Sequence, residues 1–161
     1  MKQTVDKLKE ILRRELDTYS SLYDLAIKKR KLLLEKFSTE FQSIVGKEEL
    51  LIQVLLDVEP VRRECVAKIT GSSDANLDAA VEAVLETDGK SDLWLIGSQL
   101  KDKVRAIKDV NEENQKLLEQ ALELTQYSIK LITRAPGDNT YSATGKKSEG
   151  RARPKIFDRK I

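Results

Sequence analysis

Apolar residues recur every three or four positions from Thr4 to about residue 37, which is the spacing of one face of an α-helix. This face contains Leu12, Leu16, Tyr19, Tyr23, Ala26, Leu33 and Phe37, with Arg30 as its one interruption. A stripe with this spacing packs against a second helix. Ser38 and Thr39 are good N-cap residues, and Thr39 with Gln42 has the form of a capping box. We therefore expect the first helix to end or bend here.

A second helical pattern runs from about Thr39 to Ile69. Its apolar face contains Phe41, Ile44, Leu51, Leu55, Val58, Cys65 and Ile69, with Glu48 and Arg62 in the same register. Two residues weaken the pattern, because Gly46 costs about 1 kcal/mol relative to alanine and Pro60 lacks a backbone donor. The apolar spacing resumes after Pro60, so we expect a kink or a short break just before it and not the end of the helical region.

Two further helices follow. Residues 71–74 are typical of a turn followed by an N-cap, and Leu77, Val81, Val84 and Leu85 then indicate a short amphipathic helix that Asp88-Gly89 ends. Ser91 or Asp92 is predicted to cap the last and longest helix, which runs to about Arg134. Its apolar stripe contains Leu93, Ile96, Leu100, Val104, Ile107, Val110, Leu117, Leu118, Ala121, Leu124, Leu131 and Ile132. Asn111 and Asn114 occupy positions at which the helical spacing of this stripe predicts apolar residues.

These patterns predict an all-α protein. Residues 1–134 are expected to form an elongated antiparallel helical hairpin or coiled-coil bundle of about three long helices and one short helix, because the last helix alone would span roughly 60 Å. Residues 135–161 contain no leucine or valine. A segment of this kind cannot bury enough apolar surface to offset the entropy of ordering it. It is therefore predicted to be a flexible C-terminal tail, disordered in isolation.

The charge is unevenly distributed. The whole chain has 29 basic and 27 acidic residues, a net charge of +2, whereas residues 135–161 have seven basic and three acidic residues, or +4. Residues 1–134 are therefore mildly acidic, at −2. The near-neutral total gives no overall positive field that would point to nucleic acid as a partner.

The residue inventory excludes several kinds of chemistry. The chain has no histidine and one cysteine, Cys65, so neither a zinc cluster nor a histidine-based catalytic relay can be built. One cysteine cannot form an internal disulfide, which favours the reducing cytoplasm. The N-terminal residues carry charges where a signal peptide is apolar, and no apolar run approaches the roughly 18 residues of a membrane span. We expect a cytoplasmic protein that is not an enzyme and has neither cofactor nor metal.

A family resemblance appears on two short elements. The last helix contains Asp109-Val-Asn111-Glu-Glu-Asn114-Gln-Lys-Leu117-Leu118-Glu119, and the tail contains Asn139-Thr140-Tyr141-Ser142-Ala143-Thr144-Gly145-Lys146. After a long helical hairpin, these elements resemble the FlgN family of flagellar export chaperones, which typically has an N-x-x-N-x-x-L-L pattern and a Tyr-Gly-x-Asp-Gly-like tail element. The asparagine and leucine positions match. In the tail, Ser142 and Thr144 replace the first glycine and the acidic residue.

The resemblance implies a cytoplasmic, non-enzymatic chaperone of the flagellar type III export system. Such proteins bind the terminal segments of the hook-associated proteins FlgK and FlgL, prevent their premature assembly, and bring them to the export gate. Carried over by position, Tyr141 would dock on the cytoplasmic domain of that gate. The C-terminal part of the molecule would capture the substrate, as a monomer or a weak dimer.

The last helix is the candidate substrate surface, because it carries more apolar residues than one contact with the hairpin needs. The candidate residues are Leu117, Leu118, Ala121, Leu122, Leu124, Ile129, Leu131 and Ile132, and Tyr127 lies among them. An amphipathic segment binds such a surface by the helix-in-groove mode. At least half of the stripe from Leu117 to Ile132 is also interpreted as ordinary core. Asn111 and Asn114 either fix the helix register or contact a partner directly.

Two other function classes remain open at this point. A structural or adaptor coiled coil without a secretion role fits the helices equally well, but gives no reason for the Tyr141 element. Nucleic-acid binding through the basic tail is disfavoured, because the tail has few aromatic residues for base stacking and the body is acidic. Cys65, Trp94 and Phe37 are interpreted as packing residues.

Overall fold

The computed structural model of the protein describes residues 1–35 and 39–133. It contains four α-helices: α1 (Lys2–Glu35), α2 (Glu40–Thr70), α3 (Leu77–Ala83) and α4 (Lys90–Thr133). A short 3₁₀ helix, Glu86–Asp88, precedes α4. The described residues contain no strand. The predicted all-α fold, with three long helices and one short one, is therefore confirmed.

The first two helices form an antiparallel hairpin. Two ion pairs join them, Lys29 with Glu48 and Glu15 with Arg62. The residue number rises along α1 as it falls along α2, so the chain directions are opposite. Both pairs use charged residues that interrupt the apolar faces, which explains why polar side chains occur in that register.

The last helix runs parallel to the first. Lys9 of α1 pairs with Asp92, and Arg30 pairs with Glu113, so the two helices keep an offset of 83 residues over most of α1. Between these pairs, the Lys103 ammonium lies 4.9 Å from the centre of the Tyr23 ring. α1 is thus the central helix, since both α2 and α4 pack along it. The bundle runs up, down and up, and α4 is antiparallel to α2 only.

The apolar core lies at one end of the bundle. It joins the start of α1, the end of α2, all of α3 and the start of α4, through Val5, Leu8, Leu12, Cys65, Val66, Ile69, Leu77, Ala80, Val81, Val84, Leu93, Ile96 and Leu100. Cys65 is buried as predicted, and burial raises the pKa of its thiol, which suits a packing role. The predicted seam of α1 omitted Val5 and Leu8, which are completely buried.

α3 closes this end. Asn76 is its N-cap, and the side chain of Asn76 accepts a hydrogen bond from the Ala79 amide at 2.9 Å. Gly97 lets α4 approach α3 closely, because a Cβ atom there would lie 3.2 Å from Leu77 Cδ2. Leu85 lies beyond the end of α3 and is 68% exposed, so its assignment to the apolar face of this helix was wrong.

Three local predictions are corrected. α2 continues through Pro60 as one helix, so the helical region extends past this residue as predicted, but the short break offered as an alternative to a kink is absent. Thr39 has helical backbone angles and makes no capping hydrogen bond with its side chain, so the predicted capping box is not formed. Trp94 is 61% exposed rather than packed in the core, because it faces the open side of the α3–α4 contact. Phe37 and Ser38 lie outside the described residues.

Candidate functional site

α4 is longer than the hairpin on which it packs. With the offset of 83 residues, Glu35 at the described end of α1 corresponds to Leu118 of α4. Residues 119–133, called the α4 arm below, continue past this level. At about 1.5 Å per residue the arm extends about 22 Å. The sequence pattern predicts how far the arm extends. That no other described helix packs on it depends on the position of α4 along α1.

The large apolar side chains of the arm are exposed. Leu122, Leu124, Tyr127, Ile129, Leu131 and Ile132 are each between 52% and 76% exposed. Among the candidate substrate residues, Leu117, Leu118 and Ala121 at the base of the arm are half-buried. The interpretation of this stripe as at least half core is therefore wrong beyond Ala121, because no described residue covers it there.

The exposed surface continues the face of α4 that packs on α1. Val110 and Asn114 are buried in that contact, and steps of three or four residues lead from them through Leu117 and Ala121 to Leu124. Helical residues with these spacings lie on one face. One face of α4 is therefore covered by the hairpin over most of its length and uncovered at its end.

Two hydroxyl side chains within this face are satisfied by the helix itself. The hydroxyl of Thr125 donates to the Ala121 carbonyl, and that of Ser128 donates to the Leu124 carbonyl, each at 2.9 Å. A hydroxyl bonded back to its own helix presents mainly its carbon atoms to a partner. These two residues therefore interrupt the apolar face less than their residue types imply.

The apolar arc of the arm is wide. At about 3.6 residues per turn, it extends over about 220° from Tyr127 to Leu122. The opposite side carries Glu119, Glu123 and Lys130. A helix that packs on one neighbour needs an arc of only about 100°. The arm therefore offers contact area for one large apolar partner or for two helices.

Asn114 marks the transition from the covered to the uncovered part of α4. Its side chain is 4% exposed, and its Nδ2 donates to the main-chain carbonyl of Ala26 in α1 at 2.9 Å. Its Oδ1 is buried without a hydrogen-bond partner among the described residues. One buried amide at a helix contact favours a single alignment of the two helices. This placement supports the register interpretation of Asn114.

Two predicted site residues lie elsewhere. Asn111 is exposed on α4, so it does not share the buried position of Asn114. Tyr141, the predicted gate-docking residue, lies outside the described residues. The exposure of Trp94 beside α3 is a feature that the sequence pattern missed, because an aromatic residue at helical spacing normally indicates core.

The described residues show neither a metal-binding cluster nor a helix that could span a membrane. No group of three or more cysteine and carboxylate side chains is placed to hold a metal ion in these two segments of the chain. No helix among them combines the necessary length with sufficient apolar character for a membrane span.

Comparison with known proteins assigns the chain to a family. The model of the family described as "FlgN protein" matches residues 1–149. The chain is also similar to a Bacillus subtilis (strain 168) protein named "Uncharacterized protein YvyG", with 26% identity over 152 residues, or 94% of this chain and 95% of that protein. No solved structure matches significantly. The family match covers most of the chain, which therefore belongs to the FlgN family of flagellar export chaperones.

Proposed function

We propose that this chaperone captures a terminal segment of a hook-associated protein of the FlgK or FlgL type on its α4 arm. The carrying observation is the apolar face of α4, which continues past the hairpin with large side chains exposed. Chaperones of this family bind hook-associated proteins in general; FlgK, FlgL and the arm are the parts proposed here. Bound segments would be kept from assembling prematurely and then delivered to the type III export gate.

The physical basis of capture is helix-in-groove binding. An amphipathic segment of the substrate would lay its apolar side along the arm, anchored by residues at helical spacing. The proposed contact set is Leu117, Leu118, Ala121, Leu122, Leu124, Ile129, Leu131 and Ile132. Each large side chain that becomes fully buried contributes about 1.5–3 kcal/mol to the binding free energy. The free-energy cost of ordering the substrate segment opposes this gain. The net affinity is therefore moderate, which suits binding followed by release.

Membership of this family favours the chaperone over an adaptor coiled coil without a secretion role. The proposed chaperone works in the cytoplasm as a monomer or a weak dimer, without metal, cofactor or nucleic acid. Its docking on the cytoplasmic domain of the export gate is assigned to Tyr141, on the strength of the family-like element in residues 139–146 alone. Asn111 of the same motif is exposed on α4 and is proposed as a partner contact.

Calorimetry with FlgK and FlgL homologues tests the capture surface. Leu124→Glu places a charge in the middle of the arm and is expected to weaken binding at least tenfold. Leu85→Glu is the matched control, because Leu85 is likewise 68% exposed but lies at the other end of the bundle. Equal affinity for the two variants would contradict the arm as the site, and no binding to either homologue would contradict the proposed substrates.

The same titration in increasing salt separates this function from nucleic-acid binding. Apolar capture should change little between 50 and 200 mM salt, whereas an affinity based on phosphate contacts falls by orders of magnitude in that range. Tyr141→Ala should weaken binding to the gate's cytoplasmic domain and leave substrate binding intact. Equal loss of both would show that the tail is not a separate docking element.

A further inference from the structure

A shallow groove lies between α3 and α4, at the core end of the bundle and far from the arm. It has a volume of about 90 Å³ and is lined by Leu77, Asp78, Val81, Trp94, Gly97 and Lys101, with Ser98 at its edge. Gly97 lies in the lining directly beside the Leu77 side chain, which packs where a Cβ atom would be in any other residue. The indole of Trp94 forms an exposed wall. The groove can accommodate part of one side chain against the indole.

The chain segment that contains α3 and the start of α4, which together form this groove, is acidic. Residues 71–92 contain six acidic residues and one lysine. Lysines pair with three of the acids: Lys101 with Asp78, Lys90 with Glu82, and Lys9 with Asp92. The other three, Asp74, Glu86 and Asp88, have no ion-pair partner among the described residues. An occupant should therefore combine a bulky apolar side chain with several positive charges.

The C-terminal sequence of this chain has that composition. Residues 151–161, Arg-Ala-Arg-Pro-Lys-Ile-Phe-Asp-Arg-Lys-Ile, contain five basic residues and one acid around Ile156 and Phe157. The opposite charges of residues 71–92 and residues 151–161 are not explained by substrate capture on the arm. We propose that the chain's own residues 151–161 bind this groove, with Phe157 beside Trp94.

The chain is long enough for this contact. Trp94 lies 39 residues before Thr133 on the same helix, a distance of about 58 Å at about 1.5 Å per residue. Residues 134–156 can reach at most about 76 Å at about 3.3 Å per residue. The segment can therefore return along α4 to the groove of its own molecule. The contact would bring the end of the chain to the core end of the bundle and leave the arm free.

Trp94 is the chain's one tryptophan, so its fluorescence reports on the groove directly. Acrylamide quenching of the full-length protein is compared with that of Phe157→Ser and of Tyr141→Ser, a matched change of an aromatic residue in the same tail. Phe157→Ser should raise the quenching constant at least twofold and shift the emission to longer wavelength, whereas Tyr141→Ser should leave both unchanged. In 1 M salt the unaltered protein should approach the Phe157→Ser value, because screening weakens the charge attraction.

A second variant tests the acidic side of the contact. Asp88→Lys should raise quenching in the same way as Phe157→Ser, whereas Glu123→Lys on the arm should not. Circular dichroism would confirm that each variant keeps its helices. Equal quenching in the unaltered protein and in all four variants would overturn the proposal. A quenching constant that falls as protein concentration rises from 1 to 50 μM would also overturn it, since binding would then be between molecules.

Discussion

Asn114 of α4 hydrogen-bonds the main-chain carbonyl of Ala26 in α1, with an Nδ2–O distance of 2.9 Å, inside a helix contact that is otherwise largely apolar. Ala26 is itself almost fully buried, so both the Asn114 amide and the carbonyl that it contacts are shielded from water. This hydrogen bond aligns the two parallel helices just before α4 leaves the hairpin. The length of the uncovered arm depends on this alignment.

Substitution of Asn114 should separate polarity from packing. Asn114→Leu keeps the branched shape of the side chain with a modest increase in volume and removes the unpaired Oδ1, so the free energy of unfolding should change by less than about 1 kcal/mol. Asn114→Asp buries a carboxylate against a carbonyl oxygen and should destabilise the protein by about 2–3 kcal/mol at pH 7. Urea unfolding measures both. Equal stability of the two variants would contradict the buried hydrogen bond.

The ion pair between Lys29 and Glu48 should stabilise the connected end of the hairpin, near the end of α1 and the start of α2. The Lys29 ammonium lies 2.8 and 2.7 Å from the two carboxylate oxygens, and both side chains are largely buried. Glu48→Gln leaves the ammonium without its charge partner and should cost about 1–3 kcal/mol of unfolding free energy. Glu112→Gln is the control, because Glu112 forms an exposed pair with Lys108 at 3.9 Å and should change stability by less than about 0.5 kcal/mol. Similar costs for the two variants would contradict this assignment.

Two glutamates of one cluster should respond oppositely to pH. Burial raises the pKa of Glu15, an effect that Arg62 opposes and Glu59 reinforces. For Glu59, burial would raise the pKa, but hydrogen bonds from Arg62 and Arg63 prevail and lower it. Glu15 therefore contributes stability below its ordinary value of 4.5 that is lost as the pH rises through its raised pKa. Glu59 contributes stability above 4.5 that is lost as the pH falls through its lowered pKa.

Urea unfolding between pH 7 and pH 3.5 checks this pair of predictions. The stability advantage of the unaltered protein over Glu15→Gln should grow as the pH falls toward 4.5. Its advantage over Glu59→Gln should shrink below that value. If the stability differences for Glu15→Gln and Glu59→Gln changed in the same direction with pH, the proposed causes would be wrong. These causes are burial for Glu15 and pairing with arginine for Glu59.

The arm and the core should differ sharply in their contribution to stability. Leu8→Ala removes a completely buried side chain from the core and should cost about 2–5 kcal/mol. Leu131→Ala removes an exposed side chain from the arm and should change the unfolding free energy by no more than about 0.5 kcal/mol. Thermal and urea unfolding provide the measurement. A large loss of stability in Leu131→Ala would indicate that the arm is covered in the free protein.

The sequence by itself determined the number, order and approximate ends of the helices. Apolar residues at intervals of three and four define a helical face locally, so α1, α2 and α4 could be located without knowing their neighbours. Residues 71–74 and Asp88-Gly89 marked the turns through local residue types, and Gly71 and Gly89 adopt positive φ angles of 77° and 90° that glycine tolerates. The short motif around Asn111 and Asn114 indicated the family.

Only the tertiary structure decided which parts of each face are covered. Leu124 and Val110 belong to the same stripe of α4, yet Val110 is buried and Leu124 is exposed. Periodicity shows that a face is apolar but not where the neighbouring helix ends. That depends on the parallel alignment of α4 with α1, which rests on contacts between residues more than 80 positions apart, such as Asn114 with Ala26. The same contacts leave the arm free for a partner.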